Sequence, residues 1–95
     1  MTAELGFEWD SDKASKNVEK HHVSFEEAAT VFDDPMFITF IDEEHSVDEE
    51  RYITIGLSSR GRLLMLAHAD RKDHIRIISA RRATKKEEQF YAEAN

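Results

Sequence analysis

Beyond Pro35, the only proline in the chain, four strand-like segments follow one another: Met36–Ile41, Arg51–Leu57, Arg62–Ala69 and His74–Arg81. Short polar turns at Ser58–Gly61 and Asp70–Asp73 make the last three an antiparallel meander. Leu63–Ala67 is apolar on both faces, as a central strand is. A sheet built this way needs a layer to cover it, and the segments on either side supply helices.

Gly6–Trp9 alternates enough for a short first strand, and Asp10 or Ser11 is placed to cap a helix running to His21. Ser24 with Glu27 forms a capping box, with Val23 set to touch Ala28 one turn in. Phe25, Ala28, Ala29 and Phe32 then give this second helix an apolar face. Asp34-Pro35 ends it, because the residue before proline disfavours helical backbone. Thr84 with Glu87 is a second capping box and opens a last helix to about Ala94, anchored by Phe90 and Tyr91. The expected order is β-α-α-β-β-β-β-α. It defines one α+β domain over residues 1–95, with helices layered on a single antiparallel sheet and Phe25 and Phe32 in the core.

Charge divides the chain in two. Residues 1–50 hold three Lys/Arg against fifteen Asp/Glu, net −12, while residues 51–95 hold ten against five, net +5. Screening at physiological salt cuts surface fields off beyond about 8 Å, so a basic face can attract a polyanion although the molecule is acidic overall. With no cysteine, disulfides, thiolate nucleophiles and Cys-based zinc sites are excluded. The first residues read as neither a signal peptide nor a membrane span, so a cytoplasmic protein with no membrane contact is expected.

The basic residues concentrate in HIRIISARRATKKEEQFY, residues 74–91. Strict alternation places Ile75, Ile77, Ser79 and Arg81 on one face and His74, Arg76, Ile78 and Ala80 on the other, so Arg76 and Arg81 share a face only if a bulge or the strand end turns one of them. A guanidinium in mid-strand needs an acidic partner or an exposed groove, and both readings stay open for Arg76. Arg81, Arg82, Lys85 and Lys86 cluster where this strand meets the last helix, whose N-terminus adds positive character. Lys13, Asn17 and His21 line one ridge of the first helix, read most simply as a boundary stripe. The acidic stretch Asp42, Glu43, Glu44, His45, Asp48, Glu49 and Glu50 lacks the glycine and ligand spacing of an EF-hand, so no metal and no cofactor is expected.

The pieces FEWDSDKASKNVEKH, VSFEEAATVFDDP, DEEHSVDEERYITIGLSSRGRLL and IRIISARRATKKEEQFY together resemble the BrnT family of bacterial toxins, over nearly the whole length and in the family's order. The resemblance implies a RelE-like fold, metal-independent endoribonuclease activity that arrests translation, and neutralisation by a BrnA-type antitoxin. Operator DNA would be met only through that antitoxin. By motif it implies functional positions at Lys13, Asn17, Lys20, His21, Arg51, Arg60, Arg76, Ser79 and Arg81. Ribonuclease chemistry then casts His21 as base or acid and Arg76 and Arg81 as phosphate stabilisers, with Arg51 and Lys13 as supporting cations. Arg60, Arg62, Asn17, Lys20 and Ser79 are substrate-binding in this reading. The rival reading is a catalytically silent module that acts only through its antitoxin. One departure is visible: the family commonly has glycine after its Lys-His pair, where this chain has His22, at a position suited to a left-handed helix cap.

Overall fold

The computed structural model describes residues 6–95, so the first five residues of the expected domain lie outside the described residues. The elements are β1 (Gly6–Glu8), α1 (Ser11–His21), α2 (Phe25–Ala29) with a 3-10 turn over Thr30–Asp33, β2 (Ile38–Ile41), a 3-10 turn at Glu43–His45, β3 (Tyr52–Leu57), β4 (Leu63–Arg71), β5 (His74–Arg82) and α3 (Lys85–Ala94). They build one five-stranded sheet in the order β1-β5-β4-β3-β2.

The meander β3-β4-β5 is antiparallel, as its short turns require, and β2 extends it antiparallel on the far side. β1 corrects the expectation of a purely antiparallel sheet: it lies parallel to β5, pairing Phe7 with Ile75 and Glu8 with Arg76. The chain from α1 through β4 separates the two strands, which gives the long connection that a parallel neighbour needs.

Caps fix the helices where their sequences place them. Asp10 accepts hydrogen bonds from the Asp12 and Lys13 amides at 2.9 and 3.1 Å, Ser24 accepts from the Glu27 amide, and Thr84 with Glu87 closes a full capping box. α2 is shorter than expected, because its chain tightens into the 3-10 turn before Pro35. α1 and α2 cover one face of the sheet, burying Val23, Phe25 and Ala28 against Leu64, Leu66, Ile75, Ile77 and Ala80. Phe25 is fully buried, whereas Phe32 is only half-buried and packs at the core's margin between Phe7 and Phe37. α3 crosses the opposite face, where Phe90 meets Phe40 edge-on with ring centroids 5.8 Å apart.

A buried ion pair locks the helix layer to the β3–β4 turn. The Glu27 carboxylate accepts from Ser58 Oγ at 2.8 Å and Arg62 Nε at 2.9 Å, with a second Arg62 nitrogen closing the fork. Arg62 also donates to the His22 carbonyl. These bonds hold the Glu27 carboxyl below the usual range, the Arg62 hydrogen bond being the largest cause.

Candidate functional site

Arg76 and Arg81 of β5 reach one face through a register shift, whereas Arg82, paired with Leu64, falls on the other. Met65 pairs with Arg81, Leu66 with Ala80 and Ala67 with Ser79, but His68 pairs with Ile77 and Ala69 with Arg76. β5 therefore spends one extra residue, Ile78, between Ala67 and His68 of a regular β4. That bulge resets the alternation. Arg76, Ser79 and Arg81 all lie on the face that carries Met65, Ala67 and Ala69, away from α1 and α2, while Ile77 and Ala80 keep their places in the core.

Glu8, Arg76 and Ala69 form one row across the sheet. Arg51 immediately precedes β3, whose first residue, Tyr52, pairs with His68 beside Ala69. Arg76 Nη1 stands 3.8 Å from Glu8 Oε1, and the same oxygen is 3.7 Å from Arg71, which also reaches Glu49 at 3.2 Å. Arg81 is held more firmly. Its two Nη atoms donate to the two Glu87 oxygens at 2.7 and 2.9 Å, and Glu87 in turn accepts from the Thr84 amide that starts α3. Arg81 accordingly holds the Glu87 carboxyl below its usual range. Opposite Ala69 and Met65, Arg76 and Arg81 are four β4 residues apart, about 13 Å along the sheet at roughly 3.3 Å per residue.

The remaining sequence candidates divide among other places. Lys13 sits exposed in the first turn of α1, and Asp10 beside it feels the charges of both Lys13 and Arg76, so this end of α1 is the one nearest the arginine face. Lys20 is exposed and His21 half-buried in the last turn, in the helix layer on the other side of the core; no hydrogen bond or ion pair among the described residues joins His21 to Arg76 or Arg81. Asn17 is buried with its amide fully used: Nδ2 donates to the Val23 and Ala80 carbonyls at 2.9 and 2.8 Å, and Oδ1 accepts from the Ala80 amide at 3.1 Å. It stands in for the strand that β1 does not extend far enough to provide. Arg62 is committed to Glu27, and Arg60 is exposed at 3.9 Å from the same carboxylate.

Two groups carry no obvious signal in the sequence. Glu8 and Glu87, the carboxylates that meet the β5 arginines, are distant from them in the chain or hidden inside a capping motif. His68 is buried on the helix side, its Nδ1 2.9 Å from Asp70 Oδ1 and its Nε2 2.7 Å from Thr54 Oγ1, which lies 2.7 Å from Thr39 Oγ1. Burial pushes its pKa below the ordinary value, against the pull of Asp70. The spacing His68-x-Asp70 on a strand was the only sequence clue to this chain of hydrogen bonds.

Among the described residues no group of three or more His, Asp or Glu converges as a metal site. The acidic stretch instead surrounds a hollow of about 510 Å³ lined by Glu44, His45, Val47, Asp48, Glu49 and Arg51.

In its fold, a layer of helices on a five-stranded sheet, the chain is similar to a solved structure from Brucella abortus, the ribonuclease toxin BrnT determined at 1.1 Å. The two superpose with a TM-score of 0.67 at 18% identity, over 86% of this chain and 100% of that one. No curated protein matches the chain at a significant level. Residues 9–87 match the family described as the ribonuclease toxin, BrnT, of type II toxin-antitoxin systems. The chain belongs to the BrnT family.

Proposed function

We propose that this chain is the RNA-cleaving toxin of a two-protein module, with a RelE-like fold, acting in the cytoplasm to arrest translation until a BrnA-type antitoxin binds it. The observation that carries the reading is the bulge at Ile78, which brings Arg76, Ser79 and Arg81 to one face of the sheet. Arginine suits this work because its planar fork keeps its charge and offers two parallel donors to phosphate oxygens.

In this mechanism Arg76 meets the scissile phosphate and stabilises the charge that builds on its oxygens as the neighbouring 2′-hydroxyl attacks, the P–O5′ bond breaks to leave a 2′,3′-cyclic phosphate, and the departing 5′-oxygen takes a proton from water. Glu8, beside Arg76, is the nearest carboxylate able to take the hydroxyl proton. Arg81, about 13 Å away along the sheet, holds a neighbouring stretch of the backbone rather than the same phosphate. Arg51 and Lys13 add positive charge at the edges, and Ser79 offers a hydroxyl between the arginines. His21, Lys20, Arg60 and Arg62 are left to substrate contacts beyond this face or to the scaffold. The cations are supplied by side chains, so the reaction proceeds without a metal. Operator DNA is reached only through the antitoxin.

One observation favours a catalytically silent module: the Arg81 fork is already filled by Glu87, so RNA has to displace a carboxylate from it. Single-turnover cleavage by purified, partner-free protein in excess chelator separates the two. Cleavage that persists in chelator and is lost in Arg76→Ala supports the nuclease; no cleavage by the parent protein leaves the silent module, and loss on chelation overturns metal independence.

A further inference from the structure

The two edges of the sheet are treated differently. At one, β1 and the Asn17 amide occupy the outer groups of β5. At the other, β2 is the last strand, and among the described residues no strand pairs with its outer side. The Asp42 amide donates to the Arg51 carbonyl, which makes that pair, and hence Phe40–Ile53 and Ile38–Ile55, the hydrogen-bonded ones. The amides and carbonyls of Thr39 and Ile41 therefore point outward.

The segment around this edge, Met36–Ile41, contains no charged residue, and Phe40 and Ile41 remain 42% and 48% exposed. On the α3 side, Phe40, Ile55 and Phe90, with Lys86 and Glu87 at its margin, line a hollow of about 300 Å³, and Phe90 is 51% exposed. An uncharged, β-prone segment on an open edge is a template for pairing with another chain, and natural proteins ordinarily blunt it. Here the flanks are acidic on both sides: Asp33 and Asp34 before the segment, Asp42, Glu43 and Glu44 after it.

We propose that the outer edge of β2 and the hollow between Phe40 and Phe90 receive an extended segment of the antitoxin, one that adds a sixth strand, seats an apolar side chain against Phe90 and carries lysines or arginines at its ends. This rests on the toxin-antitoxin reading above. The acidic flanks select that occupant over a second copy of this chain. Pairing two β2 edges antiparallel brings Asp33 and Asp34 of each copy against Asp42, Glu43 and Glu44 of the other, and a parallel pairing sets like charge on like. A cationic strand turns the same flanks into attraction, and strand addition of this kind draws affinity from main-chain bonds and specificity from side-chain pockets.

The test uses the protein product of the reading frame adjacent to this chain's gene, titrated calorimetrically into the full chain. Wild type and Lys16→Glu, an exposed change on α1, are expected to bind alike. Phe40→Glu and Ile41→Pro, which alter the hollow and remove one outward amide, are expected to weaken binding by a factor on the order of a hundred, with unchanged thermal unfolding. Amide hydrogen exchange in the wild-type chain provides a second measurement that needs no variant: Thr39 and Ile41 exchange freely alone and become protected in the complex. No binding by wild type overturns the toxin-antitoxin reading and this proposal with it. Binding that leaves Thr39 and Ile41 unprotected overturns the surface alone, as does a free chain that is dimeric and becomes monomeric in Phe40→Glu.

Discussion

At the residue scale, Arg76 and Arg81 differ in what restrains them. Arg76 has a single looser contact with Glu8, while Arg81 is gripped by both Glu87 oxygens. If Arg76 stabilises the transition state, Arg76→Ala should cut the single-turnover cleavage rate about a hundredfold, the scale of losing one such donor, with substrate affinity little changed. Arg81→Ala should chiefly weaken RNA binding. Both effects are read from rate against RNA concentration, and matching rate losses in the two variants would contradict this division. His22 presents a different kind of restraint. It sits at φ 58°, ψ 33°, the left-handed cap of α1, where a side chain strains the backbone. Its carbonyl accepts from Arg62, a bond that any residue can make. His22→Gly should therefore raise stability by about 1 kcal/mol, measured by chemical denaturation, while retaining the fold.

At the scale of elements, a bulge and an amide do what regular strands cannot. The extra residue in β5 lets one strand give Ile77 and Ala80 to the core and Arg76 and Arg81 to the other face. Asn17 completes the open side of β5 next to Ala80, so it contributes to the sheet from a helix. Replacing it with alanine would leave the Ala80 amide and two carbonyls, those of Ala80 and Val23, without these partners in a buried place. Asn17→Ala should thus cost at least about 2 kcal/mol, since each unsatisfied buried group costs roughly 1–3 kcal/mol. Equilibrium unfolding checks this, and a loss of RNA binding at full stability would instead assign Asn17 to substrate. α3 is tied down by Tyr91, whose hydroxyl donates to Asp34 at 2.6 Å and whose pKa is pushed up to about 12 by that bond.

For the whole molecule, acid is the direction of weakness. Burial lowers the His68 pKa from its ordinary 6.5, so the unfolded chain takes up a proton that the folded chain refuses; this stability is intact above pH 6.5 and declines as pH falls toward the lower folded value. Glu27, lowered from 4.5 by Arg62 and Ser58, adds stability that is present above pH 4.5 and lost as pH falls through its folded pKa. The melting temperature should begin to drop below about pH 6.5 and fall further below about 4.5, and His68→Gln should flatten the first part of the decline. A melting temperature indifferent to pH between 7 and 5 would show that His68 is not held neutral. The meander, the caps and all three helices were legible in the sequence, because strand alternation, turn length and capping chemistry act between residues close in the chain. The charge separation between the halves was equally plain, being composition alone. What local pattern does not encode is how distant segments meet: the parallel seat of β1, the bulge that turns Arg76 and Arg81 to one face, the carboxylates that meet them, and the withdrawal of Asn17 and Arg62 from solvent into the scaffold. Those were decided by tertiary packing, because a strand's register and a charge's partner are set by whichever distant groups satisfy buried backbone and side-chain hydrogen bonds at least cost.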